Sequence, residues 1–247
     1  MVGVVTFTFR RGVSTVKALF TLLASILFAA GSILTSDFGG FDPNRFPVPQ
    51  VNPPLQPVGF AFSIWFVIYA WLIASAVYGI SKRADDPQWQ AFRIPLGLSL
   101  LIGAPWIQVA QVSPLWATIM IWAMLLLALV ALWKGPAEDF AWARGPIGLY
   151  AGWLTAASAV GTSVLLSGYG ILPQLVSAIA MLFVALFLAV WTILRHPLAN
   201  LTYGLAVQWA LVGIIIKSVS LSNPVMICLV SIGCLVVAWA IWRKRNS

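Results

Sequence analysis

The residue types that carry out acid–base, nucleophilic or metal chemistry are few in this chain and lie far apart. The single histidine, His196, sits in a hydrophilic turn, and one histidine without neighbouring ligands does not make a metal site. Cys228 and Cys234 are six residues apart in an apolar segment, a spacing that places them on different faces of a helix. The acidic residues all lie between apolar segments: Asp37, Asp42, Asp85, Asp86, Glu138 and Asp139. Hydrolysis, phosphoryl transfer and redox chemistry need a positioned base, nucleophile or metal, so we expect neither a catalytic residue nor a metal site, and no enzyme.

Aromatic residues are the feature that points to a site. The chain holds 13 tryptophans, 14 phenylalanines and 5 tyrosines. Some tryptophans lie at the ends of apolar segments, as in the aromatic belts of membrane proteins: Trp89, Trp133, Trp142, Trp191 and Trp242. Others lie well inside such segments, where an indole N–H needs a partner: Trp65, Trp106, Trp153 and Trp209. The side chains that could pair with these indoles are Gln108, Gln208, Thr155, Ser158 and Thr162. This pattern predicts a pocket for a flat, largely apolar molecule, and aromatic packing between helices is the alternative interpretation.

The segments that must position these residues are membrane spans. The mean hydropathy is +0.97, and only 8% of the residues are charged, against about a quarter in soluble domains. Because a transmembrane helix needs roughly 20 apolar residues, we predict eight helices, over 18–35, 58–80, 94–112, 115–133, 146–167, 173–194, 199–219 and 223–242. The apolar runs are continuous rather than alternating, which favours helices over a barrel. The expected fold class is therefore an all-α membrane protein, an eight-helix transmembrane bundle.

The distribution of lysine and arginine predicts the orientation of these helices. With eight crossings, twelve of the 14 basic residues fall on one side, and only Arg45 and Lys217 fall on the other. Since positive loops stay inside, we expect both termini in the cytoplasm and a location in the bacterial inner membrane. The same rule explains the net charge of +8, so a nucleic-acid partner is not expected. The first apolar run, about 18 residues long, exceeds the h-region of a signal peptide and is predicted to remain as a span.

The loops are short apart from residues 36–57, on the outer side. This loop contains six prolines and three phenylalanines, among them Phe46. Proline restricts the backbone, so the segment is predicted to lie over the bundle as a semi-rigid lid, with a plain connector as the alternative. Pro105 lies inside the third span and should kink it.

Three stretches stand out in the second, third and fifth predicted helices: PVGFAFSIWFVIY at residues 57–69, GAPW at 103–106 and GPIGLYAGWLTAASAVG at 145–161. Together they resemble the TspO/MBR family of tryptophan-rich sensory proteins and translocator proteins. Residues 57–69, PVGFAFSIWFVIY, are similar to the start of the family's second helix, where a proline-rich loop precedes an aromatic residue, a Trp and a Tyr four positions later. Residues 103–106, GAPW, resemble the third-helix motif without its asparagine. Residues 145–161, GPIGLYAGWLTAASAVG, resemble the fifth helix, with Gly161 in place of a closing asparagine. The Pro-Pro pair that precedes the family's second helix is shifted here to Pro53 and Pro54.

The resemblance covers residues 18–167 and implies a TspO-like bundle of five helices with a pocket under the first outer loop. It divides the chain into residues 1–167, this bundle, and residues 168–247, three additional helices and a basic cytoplasmic tail. It implies a bound tetrapyrrole, such as a porphyrin, or a sterol-like or lipid molecule, for sensing or transport, and homodimers. No cofactor is indicated beyond such a molecule. The ligand-binding residues that we predict are Phe46, Pro57, Phe62, Trp65, Tyr69, Trp106, Tyr150 and Trp153.

Two other functions remain open at this point. Eight helices with proline-broken ends also suit a small secondary transporter, although helices 1–4 and 5–8 show no convincing repeat. The chain could instead be a structural or assembly subunit that docks on a larger membrane complex through its lipid-facing aromatics. All three functions share membrane lipids as partners, and the first adds a hydrophobic small molecule.

Overall fold

The protein is entirely helical in the part of the chain that a computed structural model describes. These are residues 2–35, 38–136, 138–195 and 201–246, with only the helical backbone for residues 2–13. The helices in this part are α1 (Val2–Ile33), α2 (Ile64–Arg83), α3 (Pro87–Gly103), α4 (Trp106–Val112), α5 (Pro114–Lys134), α6 (Gly145–Gly168), α7 (Gln174–Arg195), α8 (Leu201–Ser220) and α9 (Pro224–Arg245). A 3₁₀ turn at Gly59–Ser63 leads into α2, and a π-helical turn at Phe140–Arg144 leads into α6. His196 lies outside the described residues.

These helices form eight segments long and apolar enough to cross a membrane, as the sequence predicted. The third segment consists of α3 and α4, which are interrupted at Ala104 and Pro105, where a kink was expected. This segment begins at Pro87 rather than at residue 94. The earlier start follows from local chemistry, because the Asp86 side chain accepts the Gln88 N–H at 2.9 Å and Pro87 occupies the first turn.

A ring of five helices and a group of three make up the bundle. Around the ring, α1 contacts α2, α2 contacts α6, α6 contacts α5, α5 contacts α3, and α3 contacts α1. Helices α7 and α8 pack on the other side of α6, and α9 packs on α7 and α8. The small residues of α6 allow this approach: a Cβ atom at Gly152 would lie only 2.2 Å from the carbonyl oxygen of Tyr203 on α8. The small-residue face of α6 is therefore covered at Gly152 by a helix of the same chain.

The two ends of the bundle differ in charge. We call the end where α2, α5, α7 and α9 finish the basic end, and the end that carries residues 38–58 the loop end. At the basic end, Asp139 accepts hydrogen bonds from Arg83 Nε at 2.8 Å and from Arg83 Nη2 at 3.3 Å. It also accepts the indole N–H of Trp89 at 2.8 Å. This carboxylate joins the end of α2, the start of α3 and the turn before α6.

The interpretation of Trp89 as a belt residue at the lipid interface was wrong. Its side chain is 1% exposed, and its ring contacts Tyr78 and Phe92. Position at the end of an apolar run cannot distinguish an indole that faces headgroups from one that turns inward to a carboxylate. The partner, Asp139, is 50 residues further along the chain.

The Asp139 interactions predict a pH-dependent stability. Hydrogen bonds from Arg83 are the main cause that holds the pKa of Asp139 below its usual range, with a further contribution from Trp89. A lowered carboxyl pKa stabilises the fold above the unfolded-state value of about 3.9, and this stabilisation is lost as the pH falls through the folded-state pKa. Asp139→Asn should therefore lower the free energy of unfolding at pH 7 by about 1 kcal/mol, a value reduced for the partial exposure of Arg83.

The measurement is the thermal midpoint of wild type and Asp139→Asn in detergent from pH 7 to pH 3. The difference between the two proteins should be constant down to about pH 5 and shrink below about pH 4. Glu138→Gln, a change at the exposed neighbouring residue, serves as the control and should leave the midpoint unchanged. A difference between wild type and Asp139→Asn that does not depend on pH would contradict this account.

Candidate ligand-binding pocket

Trp65 and Tyr69 form the centre of an aromatic cluster inside the ring. They are four residues apart on α2, so they share one face, and their rings stack at 5.5 Å with an interplanar angle of 11°. Phe28 of α1 meets the Tyr69 ring edge-on at 5.1 Å. Trp153 of α6 meets the Trp65 ring at 6.0 Å, with an interplanar angle of 86°. Helices α1, α2 and α6 thus supply one group of rings.

The cluster continues toward the loop end through Phe62 and Phe38. Phe62, in the 3₁₀ turn, contacts the Trp153 ring at 5.8 Å. Phe38 contacts Trp106 at 4.9 Å and Phe41 at 5.8 Å, with each pair nearly perpendicular. Residues 38–58, which we call the roof, therefore place aromatic side chains directly over those of the helices.

The rings border two neighbouring cavities with shared walls, which we call the larger and the smaller lobe of the pocket. The larger lobe, of about 530 Å³, lies among α1, α2, α4 and α5, and Phe60 and Phe66 at its edge are exposed on the outside of the bundle. The smaller lobe, of about 50 Å³, lies between the roof and α6. Both lobes share the walls Phe38, Phe62, Trp65, Trp106 and Ile121. A lobe of about 530 Å³ falls in the range of small-molecule sites.

Most of the residues predicted for the site line this cavity. Phe62, Trp65 and Trp106 line both lobes. Pro57 and Trp153 line the smaller lobe, and Tyr69 lines the larger one.

Tyr150 and Phe46 lie outside the cavity lining. Tyr150 is fully buried behind Trp65, and its hydroxyl pairs with the Ser99 hydroxyl at 2.9 Å. Phe46 anchors the roof, because its ring packs directly against Gly168, where a Cβ atom would lie 2.3 Å away.

Sequence reasoning missed part of the wall. The roof contributes Phe38, Gly40, Phe41 and Gln56, which lie within the predicted lid, residues 36–57, but were not among the predicted ligand-binding residues. Helix α6 contributes a smooth strip of small residues, Ala156, Ala157, Val160 and Gly161. The sequence did offer a signal for the roof residues of the wall, namely the phenylalanines at the start of the proline-rich loop, because aromatic side chains in a loop tend to be buried.

The indole N–H groups divide the tryptophans into three groups. Five indoles donate hydrogen bonds: those of Trp71, Trp89, Trp106, Trp122 and Trp209. Six lie on the exposed surface, with at least 37% of the residue accessible: Trp116, Trp133, Trp142, Trp191, Trp239 and Trp242. The remaining two are Trp65 and Trp153, and within the described part of the chain neither indole has a hydrogen-bond partner. Trp153 is only 2% exposed, so it is a buried donor left unpaired.

The polar side chains predicted to pair with the deep indoles have other partners. Trp106 donates to the carbonyl oxygen of Ala117 and Trp209 to that of Ala61, each at 2.8 Å. Thr155 pairs with the Tyr203 hydroxyl, and Gln208 donates to the carbonyl oxygen of Cys234. A backbone carbonyl is available to an indole wherever two helices approach closely, and residue types alone do not reveal it.

Comparison with known proteins identifies the family. The family model of TSPO-like proteins matches residues 13–242. The chain belongs to the TSPO-like family. The match extends beyond residues 18–167, on which the resemblance rested, and includes the three C-terminal helices almost to the end of α9. Comparison with curated proteins and with solved structures gave no significant match. In this TSPO-like protein, the ring of five helices forms most of the walls of the aromatic pocket. One of the three C-terminal helices, α8, also reaches the pocket, through Ala210.

The contrast between Trp106 and Trp153 predicts a difference in stability without any ligand. Both residues are buried, and Trp→Phe removes the same volume at each. Trp106→Phe also removes a hydrogen bond, whereas Trp153→Phe removes a buried donor that has no partner. The free energy of unfolding should therefore fall by about 1–2 kcal/mol more for Trp106→Phe. Thermal midpoints in detergent test this, with a difference of about 2–8 °C expected for a chain of this size. Equal midpoints, or a lower midpoint for Trp153→Phe, would contradict the assignment.

Proposed function

We propose that this TSPO-like membrane protein binds a planar, largely apolar molecule in the pocket beneath the roof, for sensing or transport. The observation that carries the proposal is the buried, unpaired indole N–H of Trp153 at the pocket wall, in contact with the half-buried ring of Trp65. A buried donor without a partner costs about 1–3 kcal/mol. An acceptor atom on a bound molecule would remove that cost for Trp153, so this indole favours a ligand over simple aromatic packing.

The walls indicate the chemical class of the ligand. Stacked and perpendicular rings at Trp65, Tyr69 and Trp153 offer faces and edges to a flat molecule. The larger lobe, of about 530 Å³, is the part of the pocket with room for a ring system, and the small residues Ala157 and Gly161 keep the wall of the smaller lobe smooth. The molecule also needs an oxygen or nitrogen acceptor for the indole donors. A porphyrin or related tetrapyrrole meets all three requirements, and a sterol-like molecule meets them with its hydroxyl oxygen.

The pocket also favours binding without catalysis. The described residues that line it include no carboxylate, imidazole, thiol or amine. Hydroxyl groups line the larger lobe at Ser32, Thr35, Ser63 and Tyr69. A hydroxyl acts as a nucleophile only when a neighbouring base activates it, and the described lining supplies no such base. We therefore propose that the protein is not a self-sufficient enzyme and that any reaction of a bound tetrapyrrole is that of the ligand itself.

Titration with protoporphyrin IX tests the proposal. The purified protein is titrated in the dark without oxygen, and binding is followed by porphyrin absorbance. Trp65→Ala should weaken binding by roughly 1–3 kcal/mol through lost ring contact, and Trp153→Phe by about tenfold through one lost hydrogen bond. Trp242→Ala, an exposed residue at the basic end of α9, is the control and should leave the affinity unchanged.

Two results would contradict the proposal. The first is an equal loss of affinity in Trp65→Ala and Trp242→Ala, which would mean that the porphyrin partitions into the detergent or the protein surface. The second is steady consumption of many equivalents of porphyrin in the dark without oxygen, which would reveal a catalytic site. A sterol titrated in the same way decides between the two ligand classes.

We also propose that the basic end faces the cytoplasm of a bacterial inner membrane. The support is the distribution of charge, with twelve of 14 lysines and arginines on that side of the predicted topology. Reporter fusions after Lys134 and after Ser247 should both report a cytoplasmic location, and a fusion within the roof should report the outside. A periplasmic location for the C-terminal fusion would contradict the orientation.

A further inference from the structure

The roof is attached to helices that lie outside the ring of five. Its last residues and the 3₁₀ turn contact α8: the Val58 N–H donates to the carbonyl oxygen of Gly213 at 3.1 Å. The indole of Trp209, one turn earlier on α8, donates to the carbonyl oxygen of Ala61 at 2.8 Å. A Cβ atom at position 213 would lie 3.0 Å from the Pro57 Cβ, so glycine is required for this approach.

A second attachment holds the middle of the roof to the junction between α6 and α7. Gln50 is 4% exposed, and its side-chain oxygen accepts hydrogen bonds from the Ser167 hydroxyl and from Gln174 Nε2, the latter at 3.2 Å. Gln174 is the first residue of α7, and the same nitrogen lies 3.4 Å from the carbonyl oxygen of Val51. The backbone adds a bond from the Val48 N–H to the carbonyl oxygen of Gly168 at 2.9 Å.

In sequence, these two attachments flank two residues of the roof that line the pocket. Pro57 and Gln56, which line the smaller lobe, lie between the Gln50 attachment and the Val58 attachment in sequence. Helices α2 and α6 pack less closely on each other than the other neighbouring helices of the ring do. At the loop end α8 links them, because it packs on α6 and also contacts the 3₁₀ turn that leads into α2. Polar atoms of the roof thus form hydrogen bonds with α7 and α8, and also with the end of α6 through Ser167 and Gly168.

We propose that α7 and α8 act as a clamp that holds the roof closed over the pocket, with Trp209 and Gln174 as its positioning residues. The C-terminal helices then belong to the site, and they set how long a bound molecule is retained. This proposal rests on the proposed function for its ligand, but the position of the roof can be measured without one.

The first arm measures ligand retention in the full-length protein. Trp209→Phe keeps an aromatic ring against Phe60 and removes the N–H. Gln174→Ala removes the hydrogen bonds from α7 to the roof and leaves those from the end of α6 in place. Protoporphyrin IX dissociation is followed after addition of excess competitor. Each substitution should raise the dissociation rate by about three- to tenfold, as expected for one lost hydrogen bond, and the double variant should raise it further. Trp116→Phe, an exposed residue at the loop end, is the matched control and should dissociate at the wild-type rate.

The second arm measures the roof itself in the absence of ligand. A nitroxide is attached at Val51→Cys, an exposed roof position, after Cys228→Ser and Cys234→Ser remove the native thiols. The Trp209→Phe/Gln174→Ala double variant should show a more mobile label, and Trp116→Phe should not. A purely structural role in the bundle would lower the thermal midpoint without loosening the label.

The two experiments test the clamp and the proposed ligand-binding function separately. Unchanged label mobility in the double variant would overturn the clamp, whatever the ligand data show. Greater mobility with an unchanged dissociation rate would overturn the claim that the clamp controls retention. Absence of porphyrin binding to the wild type would overturn the proposed function alone, because the label would still decide whether α7 and α8 hold the roof.

Discussion

A polar group inside a membrane-spanning bundle has no water to bond to, so each one must find its partner within the protein. Most of the described structure follows from that constraint. Arg93 is 2% exposed, and its guanidinium donates to three carbonyl oxygens at the end of α2, those of Gly79, Arg83 and Ala84. Serine and threonine hydroxyls bond to carbonyls one turn earlier, as Thr118 does with Pro114. Indoles reach the carbonyls of neighbouring helices in the same way. Among the few buried polar side-chain atoms that have no partner in the described part of the chain, the indole N–H of Trp153 is the one at the pocket wall.

Helix α6 determines how the two groups of helices fit together. Its small residues face two directions: Gly152 lies against the backbone of α8, and Ala157 and Gly161 lie against the cavity. The same lack of bulk therefore permits close packing on one face and leaves space on the other. Because α8 occupies the packing face, the C-terminal helices lie close enough to reach the roof. The pocket of this TSPO-like protein thus depends on both parts of the chain.

The sequence predicted the helices well and the site in part. Long apolar runs and alternating charge were enough for eight spans, and Pro105 marked the break in the third. Helical spacing placed Trp65 and Tyr69 on one face, and their stacking follows from it. The sequence did not reveal the inward turn of Trp89, the anchoring role of Phe46, or the attachment of the roof to α7 and α8. Each of these depends on contacts between segments far apart in the chain, such as Trp209 with Ala61, for which a single sequence carries no local signal.

The most direct test of the ligand pocket is nuclear magnetic resonance of the indole N–H groups in protein labelled with ¹⁵N at tryptophan. Trp→Phe variants assign the signals of Trp65 and Trp153, and protoporphyrin IX is then added in steps. The account predicts that these two signals shift as their N–H groups gain an acceptor. The signal of Trp209, already bonded to Ala61, should shift much less. Unmoved signals from Trp65 and Trp153, with shifts confined to exposed indoles such as Trp242, would contradict it.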